Sequence, residues 1–240
     1  MSEISGIDLG ALIWFLVVWN AYTYYADSKK GYGQTLLTVM RKHREVWMMR
    51  MLKRENRVAD VTIMSAIMRN VGLFSTTTLF ILAGLLAILG SVDKAQSLVQ
   101  DLPFVYTATR VEWELKVLLL LMIFIYAFFK FAWSLRQFNY ALVLIGAAPP
   151  PGETDTVTSK ELAFGTARII SGGVLNFNRG VRAYYFGLAV LSWFIHPVLF
   201  AAITVWVVAV LYRREFRSHT LHLLDSIPEP EDLTDTNHET

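Results

Sequence analysis

The stretch Val111–Ala148, VEWELKVLLLLMIFIYAFFKFAWSLRQFNYALVLIGAA, decides the fold of this chain. Its first half is apolar on every side and is long enough to cross a bilayer, which takes about 20 residues of helix. Its second half carries Lys130, Arg136, Gln137 and Asn139 with no turn signal between them. The stretch therefore predicts one long helix that spans a membrane and then continues into water.

The composition is that of a polytopic membrane protein. Hydrophobic residues make up 54% of the 240 residues, which is more than an average soluble domain contains. The formal net charge is only +2 and gives no indication of a nucleic-acid partner. The sequence has no cysteine, which excludes structural disulfides, thiolate metal sites, iron–sulfur clusters and cysteine nucleophiles.

Four apolar stretches predict an all-α, polytopic membrane protein with four transmembrane helices, at about residues 8–26, 71–90, 112–134 and 184–212. Asp8 is the expected N-cap of the first span. The acidic segment before it makes this span a retained helix rather than a cleaved signal peptide. Pro197 is expected near the middle of the fourth span, and small residues along the second span favour close packing in an oligomer.

The polar segments between the spans are also predicted to be helical. In residues 34–70 and 135–183, apolar side chains recur at helical spacing among charged ones. These segments and the four spans are expected to form a single helical membrane domain, residues 1–227. The acidic tail, residues 228–240, has few apolar residues and is expected to be disordered.

The distribution of basic residues predicts the orientation. Lysine and arginine are concentrated in the two polar segments, and basic residues favour the cytoplasmic side. We therefore expect a multi-pass membrane protein with both polar segments in the cytoplasm and both termini on the outer side, which for the bacterial inner (plasma) membrane means the periplasm. Arg213, Arg214 and Arg217 follow the last span and argue against that position of the C terminus. Placing them inside would require a fifth pass, for which no other segment has the length.

A candidate polar site inside the membrane surrounds His196, because an ionisable residue at that depth is costly and suggests function. Pro197 removes one backbone donor and leaves the carbonyl of Trp193 without its helical partner. Ser192 lies one turn before His196, so the three polar groups could bind a proton, an ion or a ligand. Alternatively, His196 bonds to a neighbouring helix and Pro197 only kinks the span. Other polar candidates in the spans are Asn20, Thr76, Thr77 and Thr78, which otherwise bond within or between helices.

A second candidate site lies at the cytoplasmic ends of the spans. Tyr126, Lys130, Ser134 and Gln137 form a polar stripe that lines a vestibule, unless the Lys130 stem simply extends to the interface. Arginines nearby would bind lipid phosphate or an anionic ligand, or would bond helix-end carbonyls. The candidates are Lys130, Arg136, Gln137, Asn139, Tyr140, Asn178, Arg179, Arg182, Tyr184 and Tyr185.

The sequence gives no indication of catalysis or of a bound cofactor. We find no hydrolase elbow, phosphate-binding glycine loop, zinc motif or carboxylate pair, so we predict no catalytic residues and no metal site. Haem is disfavoured because a bis-histidine site needs a second intramembrane histidine besides His196. The interior of the predicted spans holds no Asp or Glu, which argues against a proton pump.

Several blocks resemble one membrane family. FKFAWSLRQFNYALVLIGAAP, from Phe128 to Pro149, is similar to the signature of the family catalogued as domain of unknown function 599. NRGVRAYYFGLAVLSWFIHPVLF, from Asn178 to Phe200, and VLYRREF, from Val210 to Phe216, resemble its second half. The resemblance implies a four-span bacterial membrane protein, and it implies no activity.

Three functions remain open. The first is an oligomeric channel-like or transporter-like assembly. The second is a non-catalytic membrane scaffold or assembly partner that acts through its basic cytoplasmic helices. The third, a membrane enzyme acting on a lipid, is disfavoured by the lack of a nucleophile or metal set. The expected partners are the lipid bilayer, anionic headgroups and further copies of the chain.

Overall fold

A computed structural model describes residues 5–27, 35–100, 109–154 and 156–225. Within these ranges the chain forms helices and no strand, which confirms the all-α class. A short 3₁₀ turn, Ser192–Phe194, separates the sixth helix from the seventh. The helices are α1 Gly6–Asp27, α2 Leu36–Leu52, α3 Val58–Gly90, α4 Val92–Gln100, α5 Arg110–Gly146, α6 Val157–Leu191, α7 Pro197–Phe216 and α8 His219–Asp225.

Four helical segments are long and apolar enough to cross a membrane, as the sequence predicted: Gly6–Asp27, Val58–Gly90, Arg110–Gly146 and Pro197–Leu221. Helix α5 is unbroken over 37 residues. At about 1.5 Å per residue it is much longer than the roughly 30 Å of a hydrocarbon core. It therefore continues beyond a membrane, as its apolar first half and polar second half indicated.

The predicted span at 184–212 is wrong as a continuous helix. Helix α6 runs without interruption to Leu191, and α7 starts at Pro197 rather than passing through it. Proline suits this first helical position because its missing N–H needs no partner there and its φ is already helical. His196 precedes it, and its Nδ1 accepts a hydrogen bond from the Val198 amide at 3.1 Å. The chain therefore breaks where a kink was expected.

Two other boundaries also differ from the sequence prediction. The segment 34–70 divides into α2 and the beginning of α3, because α3 starts at Val58, where the Asn56 side chain accepts the Val58 amide at 2.9 Å. Asp8 does not cap α1, which begins two residues earlier; its carboxylate is buried against other helices. The acidic tail, 228–240, lies outside the described residues.

The chain divides into two compact units. Unit 1 contains residues 5–27, 76–100, 109–129 and 179–214, and unit 2 contains residues 35–75, 130–154, 156–178 and 215–225. Helices α3, α5 and α6 each contribute residues to both units. The boundaries of the units therefore do not coincide with the ends of the helices.

In unit 1, the end of α6 runs antiparallel to α1. The indole N–H of Trp193 donates to Asp8 at the start of α1, at 2.6 Å. Arg179, earlier in the chain, donates to Asp27 at the end of α1, at 2.8 Å. Residues 179–193 therefore extend along α1 from its last residue to its first turn.

Helix α7 returns in the opposite direction. The rings of Phe15 and Phe200 lie 5.1 Å apart, and those of Tyr25 and Tyr212 lie 6.3 Å apart, so α7 runs parallel to α1. The end of α6 and α7 consequently form a helical hairpin. Its turn, residues 192–196, lies at the Asp8 end of α1.

Helices α3 and α5 complete unit 1. The Ser5 amide donates to Glu112 at 3.0 Å, and the rings of Trp19 and Tyr126 lie 6.0 Å apart, so α5 runs parallel to α1. The C-terminal end of α3 packs at the Asp8 end of unit 1, where Leu89 contacts the buried cluster of Val92 and Trp113. Within the described residues of unit 1, the segments of α1, α3, α5, α6 and α7 therefore alternate in direction along the chain.

Unit 2 is held together by close contacts between α5 and α6. The Ser134 hydroxyl donates to the Gly173 carbonyl at 2.7 Å. A Cβ at Gly172 would lie 2.7 Å from the Gln137 amide nitrogen, and one at Gly173 would lie 2.7 Å from the Phe138 ring. A side chain at Gly173 would have to displace the Phe138 ring, whereas one at Gly172 would displace only the end of the Gln137 side chain.

The same unit brings together distant parts of the chain. Helix α8 packs against α2. Two helices in contact cannot lie on opposite sides of a membrane. The described C-terminal end therefore lies on the same side of a membrane as α2.

Candidate functional site

The most buried charges in unit 1 form a cluster at the first turns of α1 and α5. Lys116 and Asp8 are only 2% and 1% exposed. The Lys116 ammonium lies 3.4 Å from Asp8 Oδ1, and the same oxygen accepts the Trp193 indole N–H. The ammonium also lies 5.1 Å from the centre of the Trp193 ring. Three helices thus meet at one buried ion pair.

The break before Pro197 positions one group of this cluster. Proline lacks an N–H, so the Trp193 carbonyl has no donor four residues later. Lys116 takes that place and donates to the carbonyl at 3.1 Å. The prediction that Pro197 leaves this carbonyl without its helical partner is confirmed, and the structure identifies the donor that replaces it.

Glu112, one turn before Lys116, is fixed by backbone donors. Its carboxylate accepts the Ser5 amide at 3.0 Å and the Thr109 amide at 2.7 Å. The Thr109 hydroxyl in turn accepts the Glu112 amide at 3.3 Å, which completes a capping box at the start of α5. Glu112 therefore joins the N-terminal segment before α1 to α5 and adds a negative charge beside Lys116.

One oxygen of Asp8 is unsatisfied. Oδ2 is buried and has no hydrogen-bond partner among the described residues. A buried polar atom without a partner costs roughly 1–3 kcal/mol, and more when it carries charge. Asp60 in unit 2 also has one buried oxygen without a hydrogen bond, Oδ2, while its Oδ1 accepts from the Trp47 indole and from Arg54. Asp8 differs because it also lines a cavity.

The cavity has a volume of about 240 Å³ and is almost entirely apolar apart from the charged cluster. Asp8, Glu112, Lys116 and Trp193 form its polar end. Leu118 and Met122, at its apolar end, are about half exposed on the outer surface of the unit. The remaining wall is Leu9, Leu12, Leu115 and Leu119.

A second ionic cluster lies at the other end of α1. Asp27 accepts from Arg179 at 2.8 Å with one oxygen and from Arg182 at 3.3 Å with the other. The Arg182 guanidinium also lies over the Tyr22 ring, 5.5 Å from its centre. Both carboxylate oxygens are thus paired, and this cluster ties α1 to α6.

The predicted cytoplasmic-face residues belong to both units and make several different contacts. Arg179 and Arg182 bind Asp27, whereas Tyr184 bonds Thr78 at 2.8 Å and Tyr185 accepts from Arg214 at 3.0 Å, all in unit 1. The rest of the set lies in unit 2, where Gln137 accepts from Asn176 at 2.8 Å. Arg136, Asn139 and Tyr140 are exposed, and Lys130 and Asn178 are half-buried.

The predicted intramembrane residues are also separated. Ser192 donates to the Ala189 carbonyl at 2.6 Å, and His196 caps α7, both at the hairpin turn rather than in the middle of a span. Asn20 donates to the Leu16 carbonyl of its own helix at 2.8 Å. Thr78 is buried, and Thr76 and Thr77 are exposed.

Sequence reasoning missed the Asp8 cluster. Asp8 and Glu112 were each attributed to a helix end, and Lys116 was included in an apolar run. One signal was available: Glu112 and Lys116 are four residues apart at the start of a span, so they share a helix face. A charged pair on one face of a membrane helix indicates a polar surface that requires a partner.

Two arginines, the buried Arg44 and the half-buried Arg57, stabilise unit 2. Arg44 donates to the Ser171 hydroxyl at 3.1 Å, and burial lowers the pKa of its guanidinium. Arg57 donates to the carbonyls of Ala148, at 2.7 Å, and Pro149, just beyond the end of α5. Arginine bound to helix-end carbonyls was one of the two roles proposed for such residues, although Arg57 was not among the candidates. In the described part of the chain, no three His, Cys, Asp or Glu side chains are grouped to hold a metal ion.

The fold defines an all-α, polytopic membrane protein with a buried ionic cluster. The model of the family described as "protein of unknown function, DUF599" matches residues 10–220. The chain belongs to this family, as its sequence blocks indicated. No curated protein and no solved structure matches the chain.

Proposed function

We propose that the protein is a transporter-like protein of the bacterial inner membrane whose working site is the Asp8–Lys116 cluster. The observation that carries this proposal is a nearly fully buried ion pair in apolar helices, with one carboxylate oxygen unsatisfied. The cluster lies at the same end of unit 1 as the hairpin turn, and it is the burial of both charges among apolar side chains that makes the pair costly to keep. A carboxylate with one paired and one unsatisfied oxygen can accept a proton without losing its Lys116 contact.

The proposal includes a topology with the N terminus outside and the C-terminal helix in the cytoplasm. It is supported by the alternating helix directions of unit 1 and by the packing of α8 against α2. The C-terminal part of α6, which ends at Leu191, would supply the fifth pass. Sequence analysis had joined residues 184–191 to the following helix as one span. This topology also places Arg213, Arg214 and Arg217 on the cytoplasmic side, where the positive-inside rule favours them.

Reporter fusions test the topology directly. A fusion after Arg57 and a fusion after Asp225 should both report a cytoplasmic location, and a fusion after Gln96 should report a periplasmic one. A periplasmic result after Asp225 together with a cytoplasmic result after Arg57 would contradict the five-pass arrangement.

Proton flux tests the function. Purified protein in liposomes that enclose a pH-sensitive dye should conduct protons when a potassium gradient with valinomycin drives them. Asp8→Asn should reduce the rate at least tenfold, because asparagine cannot bind and release a proton. Asp93→Asn is the matched control, since Asp93 is exposed and only pairs with Arg110 at 3.1 Å. Equal rates for wild type, Asp8→Asn and empty liposomes would reject the proposal.

Anionic lipid and self-association enter the proposal as partners. Arg41, Lys42, Arg50 and Lys53 are exposed along and just after α2, which favours binding of anionic headgroups at the cytoplasmic surface. This basic surface is also the observation that favours the scaffold alternative. Self-association is proposed because small residues along the second span permit close helix packing, and mass measurement in native lipid would give the number of subunits.

A further inference from the structure

We propose that the cavity at Asp8 binds a single-chain amphiphile with a protonated amine at one end. This inference rests on the proposed function, because it names the class of ligand that binds at the same site. The unsatisfied Asp8 Oδ2 requires a hydrogen-bond donor, and Asp8 is one of the residues that line the otherwise apolar cavity. A primary ammonium supplies that donor, and an alkyl chain fits the rest of the wall.

The charges of the cluster favour a cation over an anion or a neutral alcohol. Asp8 and Glu112 contribute two formal negative charges, and Lys116 contributes one positive charge. Both Glu112 oxygens already accept backbone N–H groups, and Lys116 is already bonded to Asp8 and to the Trp193 carbonyl. One negative charge therefore remains, and the unsatisfied oxygen of Asp8 is where an ammonium would neutralise it.

The size and exposure of the cavity limit the tail. A volume of about 240 Å³ is smaller than the roughly 300–1,000 Å³ of sites for drug-sized ligands. Such a space accepts one short alkyl chain and excludes a two-chain phospholipid. Leu9, Leu118 and Met122 are each about half exposed at the outer surface, so the chain can enter sideways from the bilayer.

Binding of n-octylammonium measured by calorimetry in detergent micelles tests the inference. The wild type and the Asp93→Asn control should bind it equally, and both should bind 1-octanol at least tenfold more weakly. Asp8→Asn should lose at least tenfold in octylammonium affinity, because its amide replaces a charged acceptor. Equal affinity for octanol and octylammonium, or unchanged affinity in Asp8→Asn, would overturn the assignment.

A second variant covers the case in which Asp8→Asn does not fold. Met122→Trp leaves every charge in place and fills the lipid-facing end of the cavity. It should lower octylammonium affinity at least fivefold; unchanged affinity would show that the ligand lies elsewhere and would overturn the inference.

Lipid composition distinguishes a free single-chain amine from the headgroup amine of a phospholipid as the ligand. Octylammonium affinity should be the same in nanodiscs of phosphatidylcholine and of phosphatidylethanolamine. A lower affinity in the second would mean that a lipid headgroup competes, and it would overturn the single-chain assignment. Flux and binding fail independently: binding without flux rejects the transporter, and flux without binding rejects the amine site.

Discussion

The two ionic clusters of unit 1 contain similar residues but are built differently. At one end of α1, Asp27 gives one oxygen to Arg179 and the other to Arg182, and its side chain is 17% exposed. At the other end, Asp8 is 1% exposed, shares one oxygen between Lys116 and Trp193, and leaves the other unsatisfied beside a cavity. The Asp27 carboxylate, with both oxygens paired, holds α1 against α6. The Asp8 carboxylate has one oxygen without a hydrogen bond and can still bind a donor.

The two clusters also differ in how far hydrogen bonds offset the cost of burying their charges. Moving an ion pair out of water costs several kcal/mol per ion, and only good geometry with further hydrogen bonds compensates. The Asp27 cluster has that compensation and partial contact with solvent. The Asp8 cluster has one indole and one carbonyl as additional partners and lacks the last hydrogen bond. A protein that retained such a site only for stability would gain by replacing it with apolar side chains.

The largest effect is expected from Lys116→Met. Removing the ammonium leaves Asp8 buried with only the Trp193 indole as a donor, and breaking a buried pair in this way costs about 3–5 kcal/mol. The free energy of unfolding in detergent should fall by that amount. Asp8→Leu with Lys116→Met should recover most of the loss, because an apolar pair of similar volume carries no desolvation cost. A double variant as unstable as the single would mean that the pair itself stabilises the fold.

A smaller effect is expected from Asp27→Asn. The variant leaves Arg179 and Arg182 without their anion, but water reaches this end of the unit, so we expect a loss of about 1–2 kcal/mol, between surface and buried pairs. Octylammonium affinity and proton flux should stay at wild-type levels, because this cluster is structural. If Asp27→Asn abolished proton flux while the protein remained folded, the Asp27 cluster would not be purely structural, and the functional distinction from the Asp8 cluster would be wrong.

The sequence was sufficient for the elements whose pattern is local. The unbroken α5 and the four long apolar helices follow from apolar runs and from the lack of breakers. The hairpin at 192–196 does not, because LSWFIHPVLF is apolar on both sides of Pro197 and a proline can kink a helix or start one. Tertiary packing decides that the helix breaks here: the Phe15 ring packs against Phe200, and Lys116 donates to the Trp193 carbonyl.

The site depends on the same missing information. Asp8 and Lys116 are 108 positions apart, and nothing local pairs them until the directions of α1 and α5 are known. Each looked like an ordinary residue near a helix end. By contrast, the release of the Trp193 carbonyl by Pro197 is a local backbone consequence and was predictable. The donor that satisfies it comes from another helix and was not.

The smallest effect on stability is expected from His196→Gln, at the hairpin turn of residues 192–196. His196 was the strongest single candidate in the sequence, because a continuous span would have placed it in the middle of the membrane. In the structure it precedes α7 and accepts the Val198 amide through Nδ1, at the position where helix caps lie. Glutamine retains a hydrogen-bonding group but caps less well, so the loss in stability should be about 0.5–1 kcal/mol.

The decisive measurement on this variant is proton flux between pH 5.5 and 8. Glutamine cannot titrate, so a histidine that relays protons would lose the pH dependence of the rate when replaced. A capping histidine would not, and we expect the His196→Gln profile to superimpose on the wild type while Asp8→Asn is inactive at every pH. A flattened profile for His196→Gln in folded protein would move the working site from the Asp8 cavity to the turn. In that case the proton pathway would pass through the His196 imidazole, because a side chain that only caps α7 cannot set the pH dependence of proton flux.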